Sequence, residues 1–267
     1  LQTNLFYHPN VKNLISKYSG YTVWSGFMGD PIAGSHFNVP ISNSLTQAKN
    51  KFINRNSFVN SINITNCKND EFFKYIEMNK KLQYLSIDEN LDFTNRQLKY
   101  VHPHVLFEGL KYKTPFLEKK WTNIILSLND IKYRKGCRLY KKIIKKISPD
   151  LFSYPIKDNY GLKLDINPLS LFFKKIHYKL NHIILRNKSN YVSPFTNYMD
   201  FNFEIRNNNS VNKVVYKLVK DLENRNIIDW INFDKIWRNH LNNYANHADA
   251  LITLASLEVN LKAGKKI

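Results

Sequence analysis

Between Tyr21 and His36 an apolar run stops in a glycine-rich turn that carries a single acid, YTVWSGFMGDPIAGSH, and no other stretch of the sequence does this. Tyr21, Thr22, Val23 and Trp24 are β-branched or aromatic and read as a short strand, after which Ser25-Gly26, Gly29 and Gly34 punctuate the chain. A strand that runs into such a turn, and then into a helix or loop, belongs to an α/β layer. Backbone N–H groups free of bulky neighbours can approach an anion there, and a lone carboxylate, here Asp30, can hold a cation such as Mg²⁺ or a ribose hydroxyl. The same spacing equally suits an ordinary strand-to-helix turn in which Asp30 is a cap. Either way, residues 21–24 are expected to form a buried parallel strand that aims Ser25–Asp30 into a crevice.

Most of the remaining chain has a helical period. Residues 9–19 repeat apolar positions at Val11, Leu14, Ile15 and Tyr18 up to Gly20, and 45–60 and 70–85 follow suit, the latter opening on Asp70 and Glu71. A helix over 89–110 is expected to break at Pro103, and another covers 121–129. The segment 132–147, KYRKGCRLYKKIIKKI, sets its many Lys and Arg around Leu139, Ile143, Ile144 and Ile147, so one face is apolar and the other is a fan of cations. Helices over 168–186, 211–229, 233–243 and 246–263 complete the set. Leu169, Leu171, Phe172, Phe173, Ile176 and Leu180 read as buried in the first of these, with His177 and His182 outside the core. The Asn- and Ser-rich 187–210 reads as a linker.

Forty Lys and Arg against 21 Asp and Glu leave a formal charge of +19. That excess points to polyanionic partners or reflects a coding bias towards Lys and Asn. Cys67 and Cys137 are too few for a disulfide scaffold, and no apolar run is long enough to span a bilayer, so a cytoplasmic protein is expected. Leu1 opens without an initiator Met into a sequence of mid-domain texture, which suggests a fragment or a processed product.

The turn resembles the second glycine-rich signature of the asparagine-synthetase-like ATP pyrophosphatases, Ser-Gly-x-Gly-x-Asp-Glu. Ser25, Gly26 and Asp30 match it, Phe27 stands in place of the acid after Ser-Gly, and Met28 and Pro31 replace a glycine and the final glutamate. Asn95 and Arg96 precede Thr114-Pro115-Phe116-Leu117-Glu118, which is similar to the family's Pro-Phe-Leu-Asp. The basic helix resembles the family's Lys-x-x-Leu-Arg-x-Ala element: Lys141 takes the arginine, Cys137 the pyrophosphate-contacting lysine and Pro155 a second arginine, while Lys157 and Gly161 match as they stand. The resemblance spans roughly residues 10–165.

What the resemblance implies is a mostly helical α/β fold, part of an adenine-nucleotide alpha-hydrolase-like synthetase domain over 1–186; beyond it, composition and helical period give a linker or loop at 187–210 and a helical extension over 211–267. It implies an ATP- and Mg²⁺-dependent carbon–nitrogen ligase of amidotransferase type, which adenylates a carboxylate, releases pyrophosphate and passes the acyl group to an amine. Lys157 and Lys141 would be its catalytic cations, Asp30 its metal ligand, and Ser25, Gly26, Asp30, Lys135, Arg138 and Gly161 its nucleotide contacts. Small-molecule, peptide or glycan carboxylates and amines would be its substrates. The family's ATP loop, Ser-Gly-Gly-x-Asp-Ser, would come from upstream or from another chain. The charge, the 14% aromatic content and the basic helix support a different reading, a nucleic-acid-binding module, and a binding or scaffold role is a third.

Overall fold

The chain divides into two units, and each has its own hydrophobic core, the N-terminal one with a second, smaller cluster around Ala48, Ile76 and Leu91. The structure is a computed structural model and describes residues 9–37, 40–106, 108–128, 131–156, 159–185 and 199–264. One unit, the N-terminal, combines Asn4–Asn56 with Cys67–Tyr154, and the other, the C-terminal, combines Ser57–Asn66 with Pro155–Ile267.

In the N-terminal unit α1 (Pro9–Tyr18) leads to β1 (Thr22–Trp24), a five-residue α2 (Gly29–Ala33) and α3 (Leu45–Asn56). α4 (Ile87–Leu91) runs into a π-helical stretch, Asp92–Val101, and α5 (His102–Val105). β2 (Lys111–Lys113), α6 (Lys119–Leu126), α7 (Ile131–Arg134) and α8 (Arg138–Ile147) come next. β1 pairs with β2 in parallel, Thr22 opposite Lys111 and Trp24 opposite Lys113. The expected strand is therefore present and parallel, but it is not buried: Tyr21 is 65% and Trp24 68% exposed. Phe27, Met28, Ile32, Phe93 and Ile125 form the core beside it.

Two expected helices are remodelled. Residues 70–85 form 3₁₀ turns at Asn69–Tyr75 and Lys80–Leu82 instead of one helix, because side chains of the 87–101 run capture the intervening backbone. Asn95 accepts from the Glu77 N–H and donates to its carbonyl, while buried Asn90 accepts from the Asn79 N–H and donates to the carbonyls of Asn79 and Leu82. The basic segment is also divided. Gly136 and Cys137 take positive φ, which ends α7 and starts α8. Pro103, in contrast, sits within the helical run: the His102 N–H reaches back to the Gln97 carbonyl in the wider π register, immediately before the residue that has no N–H to donate.

The C-terminal unit contains the antiparallel hairpin of β3 (Pro155–Ile156) and β4 (Leu162–Lys163). After it come α9 (Pro168–Leu185), α10 (Phe201–Asn207), α11 (Asn209–Glu223), α12 (Phe233–Leu241) and α13 (Ala248–Gly264). Ile205, Leu222, Leu251 and Leu254 are fully enclosed between α10, α11 and α13. Each such side chain contributes about 1.5–3 kcal/mol on burial.

Among the described residues the strands make two sheets of two, with no continuous mixed sheet through the core. The expected adenine-nucleotide alpha-hydrolase-like architecture is thus corrected: the protein is mostly helical, and its one parallel pair is open to solvent on one face.

Candidate functional site

The turn after β1 is built from the inside outward. Ser25 donates its N–H to the Lys113 carbonyl (2.8 Å) and accepts the Phe27 N–H on its hydroxyl (3.2 Å). The Gly29 N–H returns to the Gly26 carbonyl, and Met28 is left-handed at φ 66°. Phe27 and Met28 then plug the core, with the Phe27 ring edge-on to His102. This explains the departures at both positions: the side chains anchor the turn. Two of its N–H groups are used inside it, and α2 is too short to present a helix N-terminus to an anion.

Asp30 is exposed on α2, and its backbone carbonyl accepts from Gly34 and Ser35. It belongs to no group of three His, Cys, Asp or Glu able to hold a metal ion among the described residues. A magnesium ion there would have to arrive with the phosphates of its own ligand. Across from it, burial pushes the half-buried Cys137 thiol up, Lys141 opposes that effect and Asp30 adds to it. The structure therefore brings Asp30, Cys137 and Lys141 into one neighbourhood. Phe116 helps to set it, lying against Gly29 and edge-on to Tyr140 of α8. Glu118 caps α6 by accepting the Lys120 and Trp121 N–H groups. Gly161 belongs to the C-terminal unit, where it turns the β3–β4 hairpin at φ 78°, and Lys157 lies outside the described residues.

The dominant feature of this region is α8. Arg138, Lys141, Lys142, Lys145 and Lys146 fall at i, i+3, i+4, i+7 and i+8, and all five are exposed. Leu139, Tyr140, Ile143 and Ile144 face inward, Tyr140 against Phe116 and Trp121. Lys145 leans over the Phe152 ring. Among the described residues no carboxylate lies within ion-pair distance of Arg138, Lys141, Lys142 or Lys146. Lys135, in the 3₁₀ turn before α8, is exposed as well.

What sequence reasoning missed is the acidic run of 88–92, which lies under the surface. The Asp88 carboxylate accepts the Ser42 N–H and hydroxyl (2.8 and 2.7 Å) and faces Lys51 at 3.5 Å. Glu89 meets the guanidinium of buried Arg134 at 2.5 Å. Burial alone would raise the Asp92 carboxyl, but His36, Gln97 and Arg96 hold it below the usual carboxylate range. Ala48, Lys51, Asp88 and Asp92 enclose a cavity of only about 10 Å³, room for one water. This network ties His36 and Ser42 to α4 and the π-helical stretch after it, with Lys51 of α3 against Asp88, and leaves no space for a substrate. The Ser86-x-x-Glu89 capping signature was its readable trace.

Comparison with known proteins finds no matching family model, no matching curated protein and no matching solved structure. Membership of the asparagine-synthetase-like family is overturned by that result together with the lack of a continuous sheet. The adenylating ligase and amidotransferase activity falls with it, for neither the sheet that would seat a nucleotide nor a metal-holding cluster is found among the described residues.

Proposed function

We propose that the N-terminal unit is a nucleic-acid-binding module that grips phosphates along α8. The observation that carries the proposal is the single-faced stripe of five exposed cations, four of them without a carboxylate partner among the described residues, on a helix whose opposite side, Leu139, Tyr140, Ile143 and Ile144, is half-buried, while Ile147 at its end is exposed. Such a stripe costs a few tenths of a kcal/mol per like-charge i, i+4 pair, and an anionic polymer laid along it relieves that repulsion. Phosphate contacts of this kind are indifferent to sequence and release counterions, so binding should fall steeply with salt. A net charge of +19 steers the encounter. Such a partner fits the cytoplasmic placement expected from the sequence.

A nucleoside triphosphate with its Mg²⁺ is the small-molecule form of the same chemistry, and it enters this reading as a competitor for Lys141 and Asp30. The test is filter binding of labelled RNA across a salt series. Lys141→Ala, Lys142→Ala and Lys146→Ala should each weaken binding to a similar small extent and lower the salt slope by about one unit. If no RNA is retained at low salt, the reading is wrong. If Lys141→Ala alone removes most of the binding, and ATP with Mg²⁺ competes with the RNA, a localised phosphate pocket replaces the stripe.

A further inference from the structure

α9 carries an apolar stripe on the side turned away from the core. Leu169, Phe172, Phe173, Ile176, Leu180 and Ile184 recur at helical spacing within an arc of roughly 120°, yet each is between 38 and 67% exposed. The helix rests on its other side, where Leu171, Lys174 and Tyr178 are half-buried and the Tyr178 ring lies 5.0 Å from that of Tyr160. The expectation of a core face at these positions is thereby corrected. The period holds, and the stripe points to solvent.

We infer that α9 is an interfacial helix that lies on an anionic lipid surface. The borders of the stripe argue for that occupant. Exposed Lys175 and Lys179 run along one edge, and His177 with Asn181 along the other. The sequence of the helix, PLSLFFKKIHYKLNHIIL, contains no acid. Aromatic and aliphatic side chains flanked by lysines are what a helix needs to sink into the boundary between headgroups and acyl chains while its ammonium groups meet lipid phosphates and carboxylates. A second copy is a poorer partner. Antiparallel self-pairing sets the Lys175 and Lys179 edge against itself, and in either orientation the other helix supplies no counter-charge. No helix among the described residues is long and apolar enough to cross a membrane, so α9 lies on the bilayer rather than through it.

The test is co-sedimentation of the full chain with phosphatidylcholine vesicles prepared with and without phosphatidylserine. Binding should require phosphatidylserine. Phe172→Ser with Phe173→Ser should cut the partition coefficient by about tenfold or more, with the circular-dichroism melt and RNA affinity unchanged, since both rings are exposed. Lys175→Glu with Lys179→Glu should remove the preference for the anionic lipid. Three results would overturn the inference: no partition into either vesicle, an equal loss of vesicle binding on Lys141→Ala with Lys142→Ala in α8, or a dimer in sedimentation velocity that Phe172→Ser dissociates. The second would reassign the adhesion to the cation stripe, and the third would make the occupant another copy of the chain.

Discussion

Arg134 comes from the most basic stretch of the chain and ends as one of its most buried residues, 3% exposed, with its guanidinium against Glu89 and over the Phe37 ring. The contact is an ion pair rather than an aligned hydrogen bond. Glu89 Oε1 and Arg134 Nη2 are 2.5 Å apart, but neither atom makes a hydrogen bond, and Arg134 Nε has no hydrogen-bond partner among the described residues. Glu89 is also held from behind by the Ser86 hydroxyl at 2.9 Å, and Gly34 abuts the Arg134 carbonyl so closely that a Cβ there would lie 2.2 Å from it. With the backbone wedged on one side and the acid fixed on the other, neither charge can reach water if its partner is removed. Glu89→Gln or Arg134→Met alone should therefore cost about 3–5 kcal/mol in urea denaturation, while Glu89→Leu combined with Arg134→Met should recover most of the loss. Additive losses in that cycle would show that the two charges are solvated independently. At this scale the sequence is least legible: nothing in KYRKGCRLYKK distinguishes the arginine that turns inward from the cations that fan out.

Whole elements are more legible where neighbours in sequence are also neighbours in space. α12 and α13 lie within two residues of their expected bounds, and α11 follows its apolar period but ends at Glu223, six residues before the expected 229; the cores of all three are built on one another. The expected 70–85 helix does not form because Asn90 and Asn95, further along the chain, offer its backbone better partners than its own carbonyls. α9 has the expected period and the opposite face, since periodicity marks a stripe without saying what lies over it. At the candidate site, the α8 stripe is readable from spacing, and the anchoring role of Phe27 and Met28 is not. The corner between α10, α12 and α13 gives a pH-dependent test of this packing. His240, at the end of α12, is fully buried; its Nδ1 accepts the His247 N–H and its carbonyl accepts from Arg206 Nε at 2.7 Å. Burial, and then the nearby Arg206 and His247, push its imidazole down to about 3. The unfolded chain takes up that proton near pH 6.5 and the folded one does not, so stability contributed by neutral His240 is complete above that pH and is lost progressively as pH falls towards 3. Urea midpoints of the C-terminal unit should drop between about pH 6.5 and 4.5, and His240→Asn should flatten that slope. An imidazole signal of His240 titrating near pH 6.5 in the native protein would contradict the placement.

On the scale of the molecule, among the described residues the C-terminal unit is built from two distant pieces. Residues Ser57–Asn66 belong to it although the sequence on both sides of them belongs to the other unit. The strap is tied at two points. The Asp249 carboxylate accepts the N–H of Asn60 (2.7 Å), the N–H of Ser61 (3.0 Å) and the Ser61 hydroxyl (2.5 Å), while Trp230 Nε1 donates to the Ile64 carbonyl at 3.2 Å. Ile62 and Ile64 then lie on the apolar core. Burial alone would raise the Asp249 carboxyl, but the Ser61 hydroxyl and the N–H groups of Asn60, Ser61 and Ala250 hold it below the usual range, so it is charged at neutral pH and its hydrogen bonds are charge-assisted. Nothing in the sequence of 57–66, an Asn- and Ser-rich stretch, announces that partner 188 residues away. Asp249→Ala removes the acceptor and leaves the Asn60 and Ser61 N–H groups to water, a loss of about 2 kcal/mol or more from this junction. Because the strap has no other charged tie among the described residues, the loss should be felt locally before it is felt globally. Limited proteolysis of Asp249→Ala should show faster cleavage between Ser57 and Asn66, with a red-shifted Trp230 emission, at a temperature where α11 and α13 remain folded. Cleavage at the wild-type rate would mean that Ile62 and Ile64 hold the strap through their apolar contacts alone, with Asp249 a passenger.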